Sequence, residues 1–401
     1  MKIKNSIFNN LETLSGVLII FAGLMGIVCS STASIIPIYN EILQFKIFNL
    51  ISIRDFIHDV LMIIFFLHVA LDLKHEMLYG VLQERKQMVL PLFAAIGGML
   101  LPAIIYLLFN INEPLYYQGF GIPCATDIAF AIAIFNLFGQ KAPKSIKFFL
   151  LAVAIFDDLG AILLIAIFYT QDISTYYLVA SFICIVALYI MLYARVIYIT
   201  LYIIVGAILA YFLHKAGIHT TIAGVLTGLA IPHFHKTEKV DNTSMIDNIS
   251  NENITNTKSP LDKLNHLIHK WVIVVILPLF AYTACNVNVS HIYISDVFST
   301  LGLGVAVGLF IGKQIGITGF SYIAIRLKLS DIPQGSCFKG IYVVSILGGI
   351  GFTMSLFIGE LAFPSNSDVT KIGIIMGSVM SSIYGMTALK YLYPHSSIKT
   401  K

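Results

Sequence analysis

Two adjacent carboxylates lie in the middle of an apolar run that is long enough to cross a lipid bilayer. The run extends from Phe148 to Thr170. Asp157 and Asp158 lie roughly 14 Å of helix from its start. An Asp at the bilayer midplane costs about 2.5–3.5 kcal/mol on insertion scales. We therefore interpret the pair as a site for a cation or a proton. The alternative is a loop between two short buried helices, but no proline interrupts the run.

A third carboxylate, Asp127, follows a stretch that is typical of a broken helix. Gly119, Gly121 and Pro123 precede it in GFGIPCATDIAF, and proline removes a backbone donor and kinks helices. Freed backbone groups are tolerated in a membrane only where protein packs on them or where they line a cavity. The pattern therefore predicts a break that carries Thr126 and Asp127. Asp127 could cap the half-helix that follows, line an ion site, or do both.

The second half of the sequence contains one deeply placed lysine and a second interruption. Lys313 lies well inside VGLFIGKQIGITGF, and a buried ammonium group requires a partner. The aspartate pair offers that partner, unless the lysine extends to the surface from a tilted helix. Gly348, Gly349 and Gly351 precede Thr353 in LGGIGFTMSLFIG. One interrupted span in each half predicts an inverted-repeat transporter, whereas glycine-rich stretches alone usually reflect close helix packing.

The elements that position these residues belong to a membrane protein. The 401 residues have a mean hydropathy of +0.87, and 11% of them are charged, against about 25% in soluble domains. Hydropathy predicts an all-α polytopic protein, a single transmembrane domain of residues 1–401 with about twelve spans. The predicted spans are Leu14–Ala33, Ile53–Leu73, Val89–Phe109, Tyr117–Phe138, Phe148–Tyr169, Thr175–Tyr193, Tyr198–Leu213, Gly217–Ile231, Leu264–Cys285, Thr300–Ile325, Phe338–Phe363 and Val369–Leu392.

The positive charges predict how these spans are oriented. With the N-terminus inside, all but five of the 25 Lys and Arg residues fall on the inner side or its loops. The exceptions are Lys46, Arg54, Lys215 and Lys371 outside and Lys313 within a span. This bias predicts a multi-pass protein of the cell inner (plasma) membrane with both termini cytoplasmic. We prefer a retained first helix to a cleaved signal peptide, because many spans follow it. Residues 233–263 are polar and predict a flexible cytoplasmic loop between the two halves.

Charged residues at the ends of spans are harder to interpret. LDLKHE places Asp72, Lys74 and Glu76 at the inner end of the second span, with Asp59 at its outer start. They form either a solvated helix end or the mouth of a funnel that gathers cations. His219 is more simply a hydrogen-bonded packing residue than a pH sensor.

Several function classes lack their signatures in this sequence. There is no GxxxxGK[ST], Rossmann glycine fingerprint, HExxH or GxSxG, which argues against an ATP-driven pump or an enzyme. We expect no cofactor, no catalytic residues and no nucleic-acid partner. The five cysteines have no paired spacing and predict packing residues. A sodium-coupled organic-solute symporter remains the alternative to an antiporter, and a passive cation channel would need a ring of carbonyls or acids.

Six motifs together resemble NhaA-type sodium/proton antiporters along nearly the whole chain. They are ATDIAF (125–130), FDDLGAI (156–162), GKQIG around Lys313, GIGFTMS (349–355), LDLKHE (71–76) and GIHTTIAG (217–224). The resemblance implies inverted-topology repeats in which spans 4 and 11 are discontinuous and cross. It also implies a secondary active antiporter that exports Na⁺ or Li⁺ in exchange for protons, is electrogenic and responds to pH.

The resemblance assigns roles to individual residues. Asp157 and Asp158 would bind the transported Na⁺ or protons, and Lys313 would pair with Asp157. Thr126 and Asp127 would lie where the first interrupted helix crosses the second. The residues linked to pH response would be Asp72, Lys74, Glu76, His219, Asn265, His266 and His269.

The chain departs from the family pattern in four places. Asp72 and Asn265 stand where Glu is expected, so we expect a pH profile that differs from the family's alkaline switch. The polar loop Thr237–Lys258 is longer than expected. The outer β-hairpin that the family uses for homodimer formation would fall near Ile35–Ser52, without the expected glycine.

Overall fold

The computed structural model describes residues 2–47, 49–80, 85–170, 174–233, 259–288, 294–364 and 367–394. Most of the polar loop predicted at residues 233–263 lies outside these ranges. The described chain is almost entirely helical, as expected for an all-α membrane protein. The helices are Lys2–Ser31, Ile36–Gln44, Ile53–Tyr79, Arg85–Phe109, Pro114–Cys124, Ile128–Phe138, Lys144–Phe168, Thr175–Tyr193, Ile199–Lys215, Thr221–Ala230, Pro260–Ala284, Ile294–Val297, Thr300–Arg326, Phe338–Gly348, Phe352–Ala362 and Ser367–Leu392.

The lengths and composition of these helices make the protein polytopic. Within the described residues, eight helices are long and apolar enough to cross a membrane. Two bent pairs raise the number to ten if each pair forms one span, and Ile199–Lys215 and Thr221–Ala230 are shorter apolar helices. Thr175–Tyr193 leaves large apolar side chains such as Phe182, Ile183 and Ile190 more than 60% exposed. A continuous apolar surface of this kind suits contact with lipid.

Two pairs of helices are bent at a short break, and both breaks fall beside residues that the sequence singled out. Pro114–Cys124 and Ile128–Phe138, here the first broken helix, are bent by 43°. Phe338–Gly348 and Phe352–Ala362, the second broken helix, are bent by 46°. Gly348 ends its half-helix, and Gly349, Ile350 and Gly351 separate it from the half-helix that begins at Phe352.

The first break lies at Ala125, Thr126 and Asp127, directly after the glycine and proline residues that mark it. Gly119, Gly121 and Pro123 lie inside Pro114–Cys124, which is a 3-10 helix. The chain becomes extended only at Ala125, with ψ of 150°. A tight 3-10 turn accommodates the fixed φ of proline, so the helix continues past Pro123. The break instead forms where Asp127 begins and caps the next half-helix.

Helix Thr300–Arg326, here the lysine helix, packs closely on Arg85–Phe109. A Cβ atom at Gly316 would collide with the carbonyl of Gly97, and one at Gly97 would collide with the carbonyl of Gly316. Two glycines facing each other allow the backbones to touch, as small residues do in other membrane helix pairs. A π-helical turn at Gly308–Gly312 precedes Lys313 and rotates the register of the residues that follow.

A short hairpin lies in the segment where the family resemblance placed one. Lys46–Ile47 and Ile51–Ser52 form an antiparallel two-stranded sheet. Asn49 lies between the strands with a φ of +58°. Asparagine is one of the few residues other than glycine that adopts this conformation readily, so the turn forms without the glycine that the family pattern leads one to expect.

Candidate functional site

The two breaks meet and satisfy each other's backbone. Helix ends leave amide and carbonyl groups without partners inside the helix, and lipid offers none. The Asp127 amide donates to the Ile350 carbonyl at 2.7 Å, and the Thr126 hydroxyl lies 2.8 Å from the Gly348 carbonyl. The Ser355 hydroxyl donates to the Ile122 carbonyl at 2.8 Å. These bonds hold the two broken helices together at their weakest points.

Asp127 caps two half-helices at once. Its Oδ1 atom accepts from the Phe130 amide at 3.0 Å, at the start of Ile128–Phe138. Its Oδ2 atom accepts from the amide of Thr353 at 3.1 Å and from the hydroxyl of the same residue. The positive ends of two helix dipoles therefore point at one carboxylate that is only 2% exposed. Asp127 is thus fully engaged in holding the two breaks together.

Asp157 forms a buried ion pair with the deep lysine. Lys313 Nζ lies 2.6 Å from Asp157 Oδ2, and both side chains are 0% exposed. The Thr126 hydroxyl lies 2.7 Å from the same oxygen, and Lys313 also donates to that hydroxyl at 3.0 Å. The aspartate helix Lys144–Phe168, the lysine helix and the first break therefore meet at one carboxylate oxygen.

Asp158 has a different environment although it is the next residue. Successive helical side chains point about 100° apart, so Asp158 turns away from Lys313. It is 1% exposed, and its Oδ1 atom has no hydrogen-bond partner among the described residues. A buried carboxylate without partners is costly. Asp157 Oδ1 also lacks a hydrogen-bond partner within the described part of the chain, but of the two residues it is Asp158 that lines the cavity described next, where its oxygen is available for a cation or a proton.

A single cavity of about 620 Å³ connects Asp158 to the end of the bundle. Asp127, Asp158 and Thr353 line its deep end. Tyr79, at the end of Ile53–Tyr79, and Asp262, at the start of Pro260–Ala284, line it at the opposite end. The lining of this cavity therefore extends from the helix ends to the middle of the aspartate helix.

The sequence is similar to those of known proteins along nearly its whole length. The model of the family described as Na+/H+ antiporter 1 matches residues 6–389. The chain belongs to this family. It is 40% identical over 393 residues to a protein of Psychrobacter cryohalolentis, and the match covers 96% of this chain and 94% of the relative. A protein of Vibrio cholerae serotype O1 is 39% identical over 391 residues, covering 96% and 97% of the two chains. One from Bordetella parapertussis is 40% identical over 392 residues, covering 96% and 95%.

Each of these three relatives is described as a Na(+)/H(+) antiporter NhaA. The resemblance drawn from the six motifs is therefore confirmed. The residues that the Na+/H+ antiporter 1 model matches include both breaks, the aspartate helix and Lys313.

Five of the seven residues that the resemblance links to pH response line the same cavity as Asp158. They are Asp72, Glu76, Asn265, His266 and His269. The Asn265 amide donates to Asp72 Oδ1 at 2.7 Å. Two acids at these positions would repel each other, whereas an amide and a carboxylate form a hydrogen bond. In this antiporter, Asp72 therefore has a neutral donor, Asn265, as its neighbour at the position where an acid was expected.

The other two of the seven lie elsewhere. Lys74 Nζ donates to the carbonyls of Leu229 and Ile231 at 2.6 Å each, so it caps the end of Thr221–Ala230. His219 Nδ1 lies 2.8 Å from the Thr221 hydroxyl, and the ring contacts Phe357 edge to face. His219 therefore has the hydrogen-bonded packing position that was the simpler interpretation of the sequence.

Two residues that the sequence analysis overlooked take part in charged contacts. His68 lies four residues before Asp72 on one helix and faces it at 3.3 Å, a spacing that could have revealed it. Glu360 binds His58, Lys371 and Arg54 near the hairpin end of the bundle. A lone acid in an apolar run was the only signal for Glu360.

Proposed function

We propose that this protein is a secondary active antiporter that exchanges Na⁺, and also Li⁺, for protons. The observation that carries the proposal is Asp158, a buried carboxylate with an unpartnered oxygen at the deep end of a cavity. Na⁺ is a hard cation that prefers oxygen ligands. Asp158 supplies a charged oxygen, and Asp157 is the second carboxylate of the site. Both residues would hold the transported ion.

Competition for Asp158 would couple the two ions. Burial favours the protonated form of a carboxyl group and a nearby cation favours the ionised form, so a proton and Na⁺ exclude each other. If the site faces the two sides of the membrane alternately, each ion leaves only when the other replaces it. Sodium export then follows from an inward proton gradient without ATP. The family resemblance further implies exchange of unequal charge, that is, electrogenic transport.

Lys313 would balance part of the negative charge of the site while the site switches from one side of the membrane to the other. With Na⁺ absent, Asp157 retains a cationic partner at 2.6 Å. The deep end of the cavity then carries one uncompensated carboxylate rather than two. Thr126 and Asp127 would fix the breaks so that this arrangement survives the movement.

The proposed architecture has twelve spans in one domain, arranged as two inverted repeats with crossed broken helices. The eight long helices, two bent pairs and two shorter apolar helices support twelve, and the bonds between the breaks support the crossing. The charge bias of the sequence supports the cell inner membrane, cytoplasmic termini and a flexible cytoplasmic loop at 233–263. The cavity mouth at Tyr79 and Asp262 would then face the cytoplasm.

Regulation by pH and assembly into homodimers are part of the same proposal. The cavity-lining Asp72, Glu76, His266 and His269 have ionisable side chains, and Asn265 has an amide where the family pattern leads one to expect an acid. We therefore expect an activation profile that differs from that of relatives with Glu there. The hairpin at Lys46–Ile47 and Ile51–Ser52 supports a dimer, which cross-linking of cysteines introduced into the hairpin would detect.

The test is exchange by purified protein in proteoliposomes that carry a proton gradient. Adding Na⁺ or Li⁺ should collapse the gradient, and K⁺ should not. Asp157→Asn and Asp158→Asn should each abolish the response. The matched control is Asp262→Asn, which removes a carboxylate from the cavity mouth, and this variant should still exchange. Full exchange by either Asp157→Asn or Asp158→Asn would refute the proposed mechanism.

Competition also predicts how exchange depends on pH. Because a proton occupies the same carboxylate as Na⁺, the apparent KM for Na⁺ should fall as pH rises, by up to about tenfold per pH unit. The maximal rate at saturating Na⁺ should change less. A KM that is independent of pH would exclude a shared site. The sodium-coupled symporter has no support from the named relatives, and uptake of a labelled solute would be its distinguishing result.

A further inference from the structure

We propose that His68, Asp72 and His269 form a binding site for a divalent transition metal such as Zn²⁺ in the wall of the cavity. One donor atom from each side chain lies within 4.8 Å of the others. His68 Nδ1 is 3.3 Å from Asp72 Oδ2, and His68 Nε2 is 3.0 Å from His269 Nδ1. One imidazole offers a single ring nitrogen to a given ion, and ligand atoms of a tetrahedral Zn²⁺ lie about 3.4 Å apart. The donor atoms are therefore near this spacing, and the imidazole rings must rotate to close the site.

Two helices supply the ligands and hold them in place. His68 and Asp72 are one turn apart on Ile53–Tyr79, and His269 comes from Pro260–Ala284. The imidazole rings of the two histidines face each other with centroids 5.1 Å apart. Asn265 donates to the Asp72 oxygen that does not face His68. A hydrogen bond of this kind orients a ligating carboxylate.

The chemistry of the three side chains separates this site from the one for Na⁺. Imidazole ligands suit Zn²⁺, Cu²⁺ and Ni²⁺, whereas sites made of carboxylates, carbonyls and water suit Mg²⁺ and Ca²⁺. Two histidines and one aspartate leave a fourth position for water. The metal bound here is therefore not the transported ion.

The position of the site predicts its effect. His68, Asp72 and His269 line the same cavity as Asp158, so a bound divalent cation would lie beside the route of Na⁺ and add positive charge to it. We expect Zn²⁺ to inhibit exchange from the cavity side of the membrane. This second statement depends on the proposed antiport, whereas metal binding does not.

Binding is tested on the full-length protein without a polyhistidine tag, in detergent. Co²⁺ is added alone, and its visible absorption reports four-coordinate binding, which Zn²⁺ should displace and Mg²⁺ should not. His68→Gln and His269→Gln should each weaken Co²⁺ binding more than tenfold, and Asn265→Ala about 10-fold through the carboxylate that it orients. His75→Gln is the matched control, because His75 lines the same cavity outside the trio. It should bind Co²⁺ as the unaltered protein does.

Several results would overturn the site. One is Co²⁺ binding that His68→Gln and His269→Gln leave unchanged, and another is a loss of equal size in His75→Gln. A near-ultraviolet thiolate band would assign the metal to a cysteine instead. Thermal melting without metal checks that the variants fold, and Asp72→Asn, which keeps an acceptor for Asn265, provides a further ligand deletion.

The functional arm measures the Zn²⁺ concentration that halves each variant's own exchange rate. His68→Gln should raise this concentration more than tenfold and His75→Gln should not. Equal inhibition of both variants would refute inhibition through this site. An absence of exchange without any metal would instead refute the proposed antiport and leave the Co²⁺ result standing.

Discussion

The ion pair between Lys313 and Asp157 makes a prediction about stability that does not depend on transport. Replacing Lys313 by methionine keeps most of the length of the side chain but leaves Asp157 without its cation. Both side chains are 0% exposed and the nitrogen–oxygen distance is 2.6 Å, so water cannot screen the loss. Removing one partner of a buried pair costs about 3–5 kcal/mol. We expect Lys313→Met and Asp157→Asn each to lower the free energy of unfolding by that amount.

The double variant distinguishes a buried pair from two independent contacts. Replacing both members of a buried pair by neutral groups is often nearly neutral, because two desolvated charges disappear together. Lys313→Met combined with Asp157→Asn should therefore lose less stability than either single change. Far-UV circular dichroism during unfolding in mixed micelles is the suitable measurement. The only tryptophan, Trp271, is 63% exposed and is a poor reporter of the core.

A second lysine provides the control for this cycle. Lys74 donates to two carbonyls at the end of Thr221–Ala230 and does not contact Asp157. Lys74→Met combined with Asp157→Asn should therefore cost the sum of the two single changes. If the variant with Lys313→Met and Asp157→Asn is also additive, the ion pair is not the reason that the lysine is tolerated at this depth.

Three further predictions follow from the packing, each measured as a melting temperature in detergent. Gly316→Ala should lower the melting temperature because its methyl group would meet the backbone of the neighbouring helix, whereas Gly319→Ala on the same helix has open space and should not; equal losses would contradict the close crossing. Glu360→Gln should destabilise more than Arg54→Gln, since Glu360 contacts Lys371, Arg54 and His58 whereas the arginine is 45% exposed; the reverse order would show that Arg54 contributes more to the cluster than the buried acid does. Thr353→Val removes one hydroxyl donor to the doubly capping carboxylate and should cost about 1–3 kcal/mol, with Thr353→Ser restoring most of the loss, and an unaffected valine variant would argue against that cap.

The family and its chemistry could be read from the sequence because charge in an apolar run is informative. A carboxylate or ammonium group in the membrane is costly wherever the helices pack. Asp127, the aspartate pair and Lys313 therefore stood out before any contact was known. The breaks were predictable for a similar reason, because glycine and proline lie in them or directly before them. The true start of the half-helix depends on the cap made by Asp127.

Other features depend on contacts between residues far apart in the chain. His68 and Asp72 lie close to His269, which is 201 residues after His68 in the chain. No local sequence pattern predicts that contact. Lys74 and His219 belong to motifs of the family, yet their side chains satisfy backbone and hydroxyl groups away from the cavity. Motif membership therefore did not predict which side chains share the cavity.

The sequence by itself determined that this is an α-helical membrane protein with charged groups deep in its spans, because composition and hydropathy decide which segments leave water. Charge and depth alone left either aspartate as the partner of the lysine. Tertiary structure decided that Lys313 faces Asp157 and that Asp158 faces the cavity. The reason is geometric: adjacent helical residues point about 100° apart, so the direction of each depends on how the helices pack. The π turn at Gly308–Gly312 and the contact of Gly97 with Gly316 set that packing for the lysine.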